Sequence, residues 1–194
     1  MAWLIIVTGR PAAGKSTLAT WLGRQLSFPV ISKDNIKEVL FEQLGWRDRE
    51  WSKMLGRASV ELMYHFAQTQ LEADQSVVLE NAFHPDLASV QLQRLLDQHE
   101  SMAIQLICNT NNNVLFERFK QRAKLGERYA GHVDAQSLDE LKQNLAKERP
   151  ISLEIKSHVI YVDTTDFATL KYEIIFERIK TIMNNTNNLL PSQG

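Results

Sequence analysis

Short apolar runs alternate with longer segments of helical periodicity along the chain. The first run, Trp3 to Val7, is apolar at every position, which is typical of a strand buried on both faces of a parallel sheet. Weaker runs predict further strands at 29–31, 76–79, 102–108 and 158–162. Helices are predicted at 15–26, 32–40, 51–73, 85–99, 112–125 and 167–183, and one more begins at Ser137. This alternation predicts a three-layer α/β fold around a five-stranded parallel sheet.

The longest of these predicted helices, 51–73, has an apolar side that we expect to meet the sheet. Leu55, Leu62, Phe66 and Thr69 lie near one face of it at helical spacing. The pattern therefore predicts that these four side chains face the core.

The composition is that of one ordinary globular domain. The 194 residues carry a formal net charge of −1, and 44% are hydrophobic. We predict one domain over 1–183 and a flexible Asn-rich tail over 184–194. The balanced charge gives no reason to expect a long nucleic acid as partner, no segment reaches transmembrane length, and a single cysteine, Cys108, excludes an internal disulfide. These features predict a cytoplasmic protein without a membrane partner, and they leave its oligomeric state open.

A glycine-rich turn joins the first strand to the first helix. Residues 9–17 read Gly-Arg-Pro-Ala-Ala-Gly-Lys-Ser-Thr, which matches the phosphate loop Gly-x-x-x-x-Gly-Lys-Ser/Thr in its usual context between a strand and a helix. Gly9 and Gly14 permit backbone angles that aim the loop N–H groups, including those of Ala12 and Ala13, at phosphate oxygens. The helix that follows directs its positive dipole end at the same anion.

Three polar residues complete this loop. Lys15 adds a charge that reaches the β and γ phosphates, Ser16 can ligate Mg²⁺ through its hydroxyl, and Thr17 can contact an inner phosphate. The loop therefore predicts bound ATP with Mg²⁺. The chain has no Asn-Lys-x-Asp guanine-reading motif, which argues against a GTPase.

Two charged residues follow the second predicted strand. Asp34 would lie across from the phosphates, because the carboxyl ends of parallel strands face the ligand crevice. There it can accept a proton from an acceptor hydroxyl, although helix capping by Ser32 and Asp34 is an alternative interpretation. Lys37, one helical turn further on, is a candidate for holding an anionic group of the substrate.

An acidic residue also ends the third predicted strand. Glu80 is placed to hold Mg²⁺ through water or to polarise the acceptor, and Asn81 beside it is a candidate for positioning the substrate. An ordinary strand-end carboxylate is the alternative. The choice between Asp34 and Glu80 as the main catalytic carboxylate stays open.

A basic segment over 118–134 is predicted to form a helical lid. Arg118 and Arg122 are four residues apart and project from one helical face, where they repel each other unless an anion lies between them. Arg128 follows between two glycines that allow the segment to hinge. Such a lid carries arginines to the transferring phosphoryl group and excludes water, whereas the alternative is a solvated basic helix.

These motifs together resemble the small P-loop kinases of the AAA type, a group similar to phage polynucleotide 5′-kinase, chloramphenicol phosphotransferase and zeta toxins. The resemblance covers roughly 1–162, and it includes the strand-end Glu80 to Phe83 and the Gly131–His132 pair. It implies a P-loop NTPase fold with a nucleoside-kinase-like strand order and the phosphate-loop strand at its centre. It also implies that Asp34 deprotonates the acceptor hydroxyl and that His132 contacts the substrate.

The sequence as a whole predicts an ATP-dependent kinase that phosphorylates a hydroxyl of a small-molecule or nucleotide-type acceptor. One alternative is a zeta-toxin-like kinase acting on a nucleotide sugar. Another is a non-catalytic module in which ATP closes the lid to regulate a partner. By the same resemblance, Val162 to Thr165 line the adenine pocket, and a plain strand-to-helix turn is an equal alternative there.

Overall fold

The computed structural model describes residues 1–125 and 152–189. Its strands are β1 (Trp3–Gly9), β2 (Val30–Ser32), β3 (Val77–Glu80), β4 (Met102–Asn109) and β5 (His158–Asp163). Its helices are α1 (Lys15–Leu26), α2 (Lys33–Leu44), α3 (Arg49–Glu72), α4 (Pro85–Gln98), α5 (Asn112–Leu125) and α6 (Tyr172–Leu189). The predicted α/β class is therefore confirmed. The helix predicted from Ser137 lies outside the described residues.

All five strands are parallel, in the order β2-β3-β1-β4-β5. β1, the strand that leads into the phosphate loop, is central, which confirms the nucleoside-kinase-like order. The register pairs Val7 with Glu80 on one side, and Gly9 with Cys108 on the other. The carboxyl ends of these strands therefore meet at one edge of the sheet, where α/β folds bind ligands.

The continuous apolar character of β1 follows from helices on both faces of the sheet. Trp3, Ile5 and Val7 belong to one core, with residues of α1, α5 and α6. Leu4 and Ile6 point the other way into a second core, formed with α3 and α4. Since successive strand residues face opposite sides, every position of β1 has an apolar neighbour.

The buried face of α3 differs from the predicted one. Met63, Ala67 and Leu71 are buried, whereas Phe66 is 45% exposed and Thr69 is also exposed. Of the predicted face, Leu55 is buried and Leu62 is half-buried. The prediction was therefore wrong for Phe66 and Thr69, because toward its C-terminal end the helix turns the neighbouring face, with Met63, Ala67 and Leu71, to the core.

The last helix also begins later than predicted. α6 starts at Tyr172, and the segment from Phe167 forms part of the β5–α6 connection instead. α6 continues to Leu189, six residues into the segment predicted as a tail, and 190–194 lie outside the described residues. Within the described ranges, none of the helices combines the length and apolar character required to cross a bilayer.

Candidate functional site

The phosphate loop begins where β1 approaches β4 closely. Gly9 has φ 144°, and a Cβ at this position would lie 2.5 Å from the carbonyl oxygen of Cys108. No side chain fits such a gap without moving backbone. The sequence motif explained Gly9 by phosphate contact, and the structure adds a second reason, since the loop starts against a neighbouring strand.

The loop ends at Gly14, the N-cap residue of α1. Gly14 has φ 80°, and a Cβ here would lie 2.1 Å from Cζ of Phe167 in the β5–α6 connection. Ala12 also has a positive φ, 62°, which costs a non-glycine residue about 1 kcal/mol or more. Left-handed residues next to ordinary ones turn successive N–H groups inward to form an anion-binding nest.

Ala13 belongs to the loop, and its side chain packs into the core beneath it. Its side chain is fully buried in the core, and its N–H donates to the carbonyl of Arg10 at 3.2 Å. The methyl group therefore anchors the loop on the sheet, and the N–H closes a turn within the loop.

Lys15 is buried, and its Nζ donates to the carbonyl oxygen of Arg10 at 3.0 Å. Burial lowers the pKa of Lys15 below its ordinary value, because desolvation disfavours the ammonium. Glu80 and Asp34 raise that pKa, and Arg122 lowers it. The four charged groups therefore lie within electrostatic range of one another, although they come from four separate elements.

The carboxylate of Glu80 is held in place by β2. Ser32 Oγ donates to Glu80 Oε2 at 2.7 Å, and both residues are buried. Ser32 occupies the N-cap position of α2, yet its side chain makes no capping hydrogen bond. The interpretation of Ser32 as a helix cap is therefore wrong, since its hydroxyl orients the strand-end carboxylate instead.

Asp34 lies in the first turn of α2. Its Oδ1 is 3.1 Å from Nζ of Lys33, and its side chain is 41% exposed. The Asp34 carboxylate therefore lies at the surface beside a cation and is partly open to solvent.

One cleft of about 800 Å³ runs along this edge of the sheet. Its size lies within the range of ligand sites in proteins. It brings together eleven of the residues predicted for the site: Ala12, Gly14, Lys15, Ser16, Thr17, Asp34, Lys37, Glu80, Asn81, Arg118 and Arg122. Gly9 and Ala13 belong to the loop but do not line the cleft. Arg128 and His132 lie outside the described residues.

The two arginines of α5 make different contacts. Arg118 donates to the carbonyl oxygens of Thr164 and Thr165 at 2.8 and 2.7 Å, and its guanidinium lies 4.6 Å from the ring centroid of Phe167. Arg122 lies over Phe119 at 5.0 Å from the ring centroid. Arg118 thus ties α5 to the β5–α6 connection and holds an aromatic ring next to Gly14.

The turn after β5 supports this connection. Asp163 Oδ1 accepts a hydrogen bond from the N–H of Thr165 at 2.9 Å. Hydrogen bonding to the side chain and to the backbone of Thr165 lowers the pKa of the Asp163 carboxyl. Thr164 is buried, with its hydroxyl 2.7 Å from that of Thr110. The chain therefore turns at the end of β5, and the helix that follows begins only at Tyr172.

Sequence reasoning did not single out the α3 side of the cleft. Val60 and Tyr64 of α3 line it, together with Lys33 and Leu87. Burial raises the pKa of Tyr64 to about 12, so its hydroxyl stays a neutral donor. The sequence spacing could have indicated this wall of the cleft, because Val60 and Tyr64 are four residues apart on one helical face. Neither residue belongs to the apolar face predicted for this helix.

A model of the AAA domain family matches residues 4–148 of the sequence. The chain belongs to this AAA domain family. A solved structure of a "putative kinase" from Chloroflexus aurantiacus J-10-fl is 35% identical in sequence to this chain, with a TM-score of 0.86. The match covers 93% of this chain and 97% of that one. None of the curated proteins matches the sequence.

Two more distant structures share the fold alone. Shikimate kinase from Bacteroides thetaiotaomicron is 20% identical with a TM-score of 0.51, covering 94% of this chain and 98% of that one. A gluconokinase from Sinorhizobium meliloti 1021 is 15% identical with a TM-score of 0.53, covering 97% and 98%. The predicted membership in a P-loop kinase family is thereby confirmed, and a nucleotide-dependent small-molecule kinase is supported in general terms.

Proposed function

We propose that this AAA domain protein is an ATP-dependent kinase that transfers the γ-phosphate to a hydroxyl group of a small-molecule or nucleotide-type acceptor. The proposal is carried by one observation: the phosphate loop and Asp34 line the same cleft. Nucleotide binding needs only the loop, whereas transfer to a hydroxyl also needs a nearby group that accepts a proton. Asp34 is close enough to raise the pKa of Lys15, so it lies beside the phosphate position.

The phosphate loop binds and orients the nucleotide in this mechanism. Backbone N–H groups around Ala12 and Gly14 hold phosphate oxygens, and Thr17 is exposed toward them. Lys15 contacts the β and γ phosphates, and their negative charge favours the ammonium form that burial disfavours. Arg122 lines the opposite wall and neutralises charge that spreads over the γ-phosphate oxygens.

Asp34 acts on the acceptor. The acceptor oxygen bonds to the γ-phosphorus as the bond from that phosphorus to the β,γ-bridging oxygen breaks, and ADP leaves. The hydroxyl proton passes to Asp34, whose half-exposed carboxylate then returns it to solvent. Asn81 and Lys37 line the acceptor side of the cleft and position the molecule.

The residues present fit a Mg²⁺ ion bound with the nucleotide. Ser16 is exposed to the cleft in the first turn of α1, and the buried carboxylate of Glu80 is oriented by Ser32. Hard divalent cations prefer such oxygen ligands. Ser16 would hold the ion directly and Glu80 through water, and the ion would neutralise phosphate charge.

Transfer from γ-³²P-ATP into pooled acceptors tests the proposal. The pools are nucleosides, 5′-hydroxyl oligonucleotides, nucleotide sugars, hydroxy acids and amino-sugar antibiotics. We expect label in one pool, and Asp34→Asn should lower that transfer by roughly 10²–10⁴-fold because proton acceptance is lost. The affinity for ATP should change by less than about twofold, since Asp34 does not lie in the phosphate loop.

Asp86→Asn is the matched control. Asp86 also lies in the first turn of a helix that follows a strand, but it does not line the cleft, so transfer should be unchanged. Full transfer by Asp34→Asn would overturn the role of Asp34 as base. Label in nucleotide sugars alone would favour the zeta-toxin-like activity, and tight ATP binding with no labelled acceptor would favour the ATP-gated module.

A further inference from the structure

A second concavity of about 680 Å³ adjoins the cleft, between α2, α3 and the start of α4. We call it the side pocket. Five residues line both spaces: Lys33, Lys37, Val60, Tyr64 and Leu87. The side pocket is therefore continuous with the cleft on the side of Asp34, away from α5. A molecule that presents a hydroxyl to Asp34 can extend its other end into it.

The lining of the side pocket is strongly basic. It contains five cationic side chains and one carboxylate, that of Glu61: the cations are Lys33, Lys37, Arg49, Lys53 and Arg57. The whole chain, in contrast, has 22 basic and 23 acidic residues. The excess positive charge is thus local, and a concave wall concentrates its field on a bound molecule.

Lys37 is the fixed cation at the junction of the two spaces. It is 7% exposed, and its Nζ donates to Ser52 Oγ at 2.9 Å. Gly56 of α3 passes directly over it, since a Cβ there would lie 3.8 Å from Nζ. The missing side chain keeps the path to the ammonium open, and burial holds the ammonium in one place.

The remaining cations come from one face of α3. Arg49, Lys53 and Arg57 are spaced four residues apart, an arrangement in which like charges destabilise a helix. Lys53 is partly neutralised by Glu50, whose carboxylate lies at 2.7 Å. No hydrogen bond or ion pair joins Arg57 to another of the described residues, although its charge acts on the exposed carboxylate of Glu50. Its guanidinium therefore remains available to bind an oxyanion in two-pronged fashion.

We propose that the side pocket binds an oxyanion group of the phosphoryl acceptor, with Lys37 and Arg57 as the principal contacts. This proposal rests on the kinase activity proposed above and names its substrate class: an alcohol that also carries a phosphate or a carboxylate. Val60 and Leu87 supply an apolar wall for the body of that molecule. The number of cations suits a doubly charged phosphate ester better than a single carboxylate.

The test compares three acceptor classes with wild-type protein and Arg57→Glu. The classes are alcohols with a phosphate ester (sugar phosphates and nucleoside monophosphates), hydroxy acids, and uncharged polyols and nucleosides. We expect transfer to an anionic class, and we expect Arg57→Glu to raise the acceptor KM by about 10- to 100-fold, the loss typical of a hydrogen bond to a charged group. The KM for ATP should change by less than about twofold, because Arg57 does not line the nucleotide cleft.

Arg178→Glu is the matched control, because it makes the same charge change at an exposed position on α6. This variant should leave kcat, the acceptor KM and the KM for ATP unchanged. Preferred transfer to an uncharged class, or an acceptor KM that Arg57→Glu does not alter, would overturn the inference and leave the kinase proposal standing.

A binding measurement separates the two proposals if no class is phosphorylated. Ribose 5-phosphate and gluconate are titrated by calorimetry into protein saturated with a non-hydrolysable ATP analogue and Mg²⁺, so that the phosphate loop is occupied. Binding of either probe that Arg57→Glu removes would support the side pocket while the kinase proposal fails. Binding of neither probe, or binding that survives Arg57→Glu, would overturn the side pocket as an oxyanion site.

Discussion

The phosphate loop and the side pocket lie at the same edge of the sheet but are built in opposite ways. The loop occupies nine consecutive residues, and backbone geometry shapes it: Gly9 lies against β4, Gly14 lies against a ring, and Ala12 is held left-handed. The side pocket uses side chains from three helices, with Lys37 and Arg57 twenty positions apart.

This difference separates the general part of the chemistry from the selective part. Backbone N–H groups recognise any phosphate chain, because every residue except proline supplies one. Side chains on a helix face can be exchanged without disturbing the sheet, so the charge and size of the acceptor site can change independently. On the proposals made above, the fold supports the reaction type, and the charged face of α3 selects the acceptor.

The largest effect should come from Lys15→Met, which removes the charged side chain of the phosphate loop. Transfer should fall by at least about a hundredfold, as when a charge-stabilising donor is removed from an active site. The nucleotide-free variant should nevertheless unfold at a higher temperature at pH 7. Burial holds the folded-state pKa of Lys15 below its unfolded-state value. The ammonium therefore destabilises the fold most at pH values below the folded-state pKa. This cost disappears as the pH rises toward the unfolded-state pKa.

Kinetic assays and thermal unfolding from pH 7 to 10 check both parts. The advantage of the methionine variant should shrink as the pH rises, because the wild-type lysine then loses its proton. A variant that is less stable than the wild type at pH 7 would show that the bond from Lys15 to the Arg10 carbonyl outweighs desolvation.

A smaller effect is expected when the loop backbone is altered by Gly14→Ala. The comparison at an open position is Gly45→Ala, because Gly45 also has a positive φ, 76°, but no atom lies within 4 Å of an added Cβ. Its ψ of 172° lies in a region that is essentially restricted to glycine, so Gly45→Ala should lose about 1–3 kcal/mol of unfolding free energy through backbone strain alone. Gly14→Ala should lose about 1 kcal/mol through the left-handed conformation and about 1–3 kcal/mol more because its Cβ overlaps Phe167. Urea unfolding measures both, and a loss of only about 1 kcal/mol for Gly14→Ala would mean that the ring moves aside freely.

The smallest effect should be a gain. Ala12→Gly relieves the positive φ of 62° at that position, which should raise the unfolding free energy by up to about 1 kcal/mol, less the added freedom of the unfolded glycine. Urea unfolding again provides the measurement, with Ala168→Gly in the exposed β5–α6 connection as a comparison. A clear loss of stability for Ala12→Gly would show that the methyl group contributes packing that outweighs the strain.

The sequence predicted the parts of this protein that depend on local patterns. An apolar run followed by a glycine-rich motif located β1, the loop and α1, and strand ends placed Asp34 and Glu80 at the right edge of the sheet. It could not predict contacts between distant segments. The Ser32 hydroxyl bonds to Glu80, and Arg118 bonds to two carbonyls of the β5–α6 connection, although Ser32 suggested a cap and Arg118 a phosphate ligand.

The two faces of α3 show the same limit. α3 lies between the sheet and the side pocket, so it has a buried face and a charged face, and the elements that pack against it decide which residues belong to each. Phe66 was expected on the apolar face because of its helical spacing, yet it is 45% exposed while Ala67 is buried. The cationic face was visible as a four-residue spacing, but its meaning depends on the concavity that α2 and α4 complete.

The buried cysteine beneath the loop has a consequence of its own. Burial raises the pKa of Cys108 to about 12, so the thiol stays protonated and shielded while β4 is paired with β1. It is also the single cysteine of the chain. Oxidants and alkylating agents, which react with the thiolate, can therefore reach the sulfur only in molecules in which the packing around Cys108 has opened. The rate at which reagents modify Cys108 therefore reports how often that opening occurs.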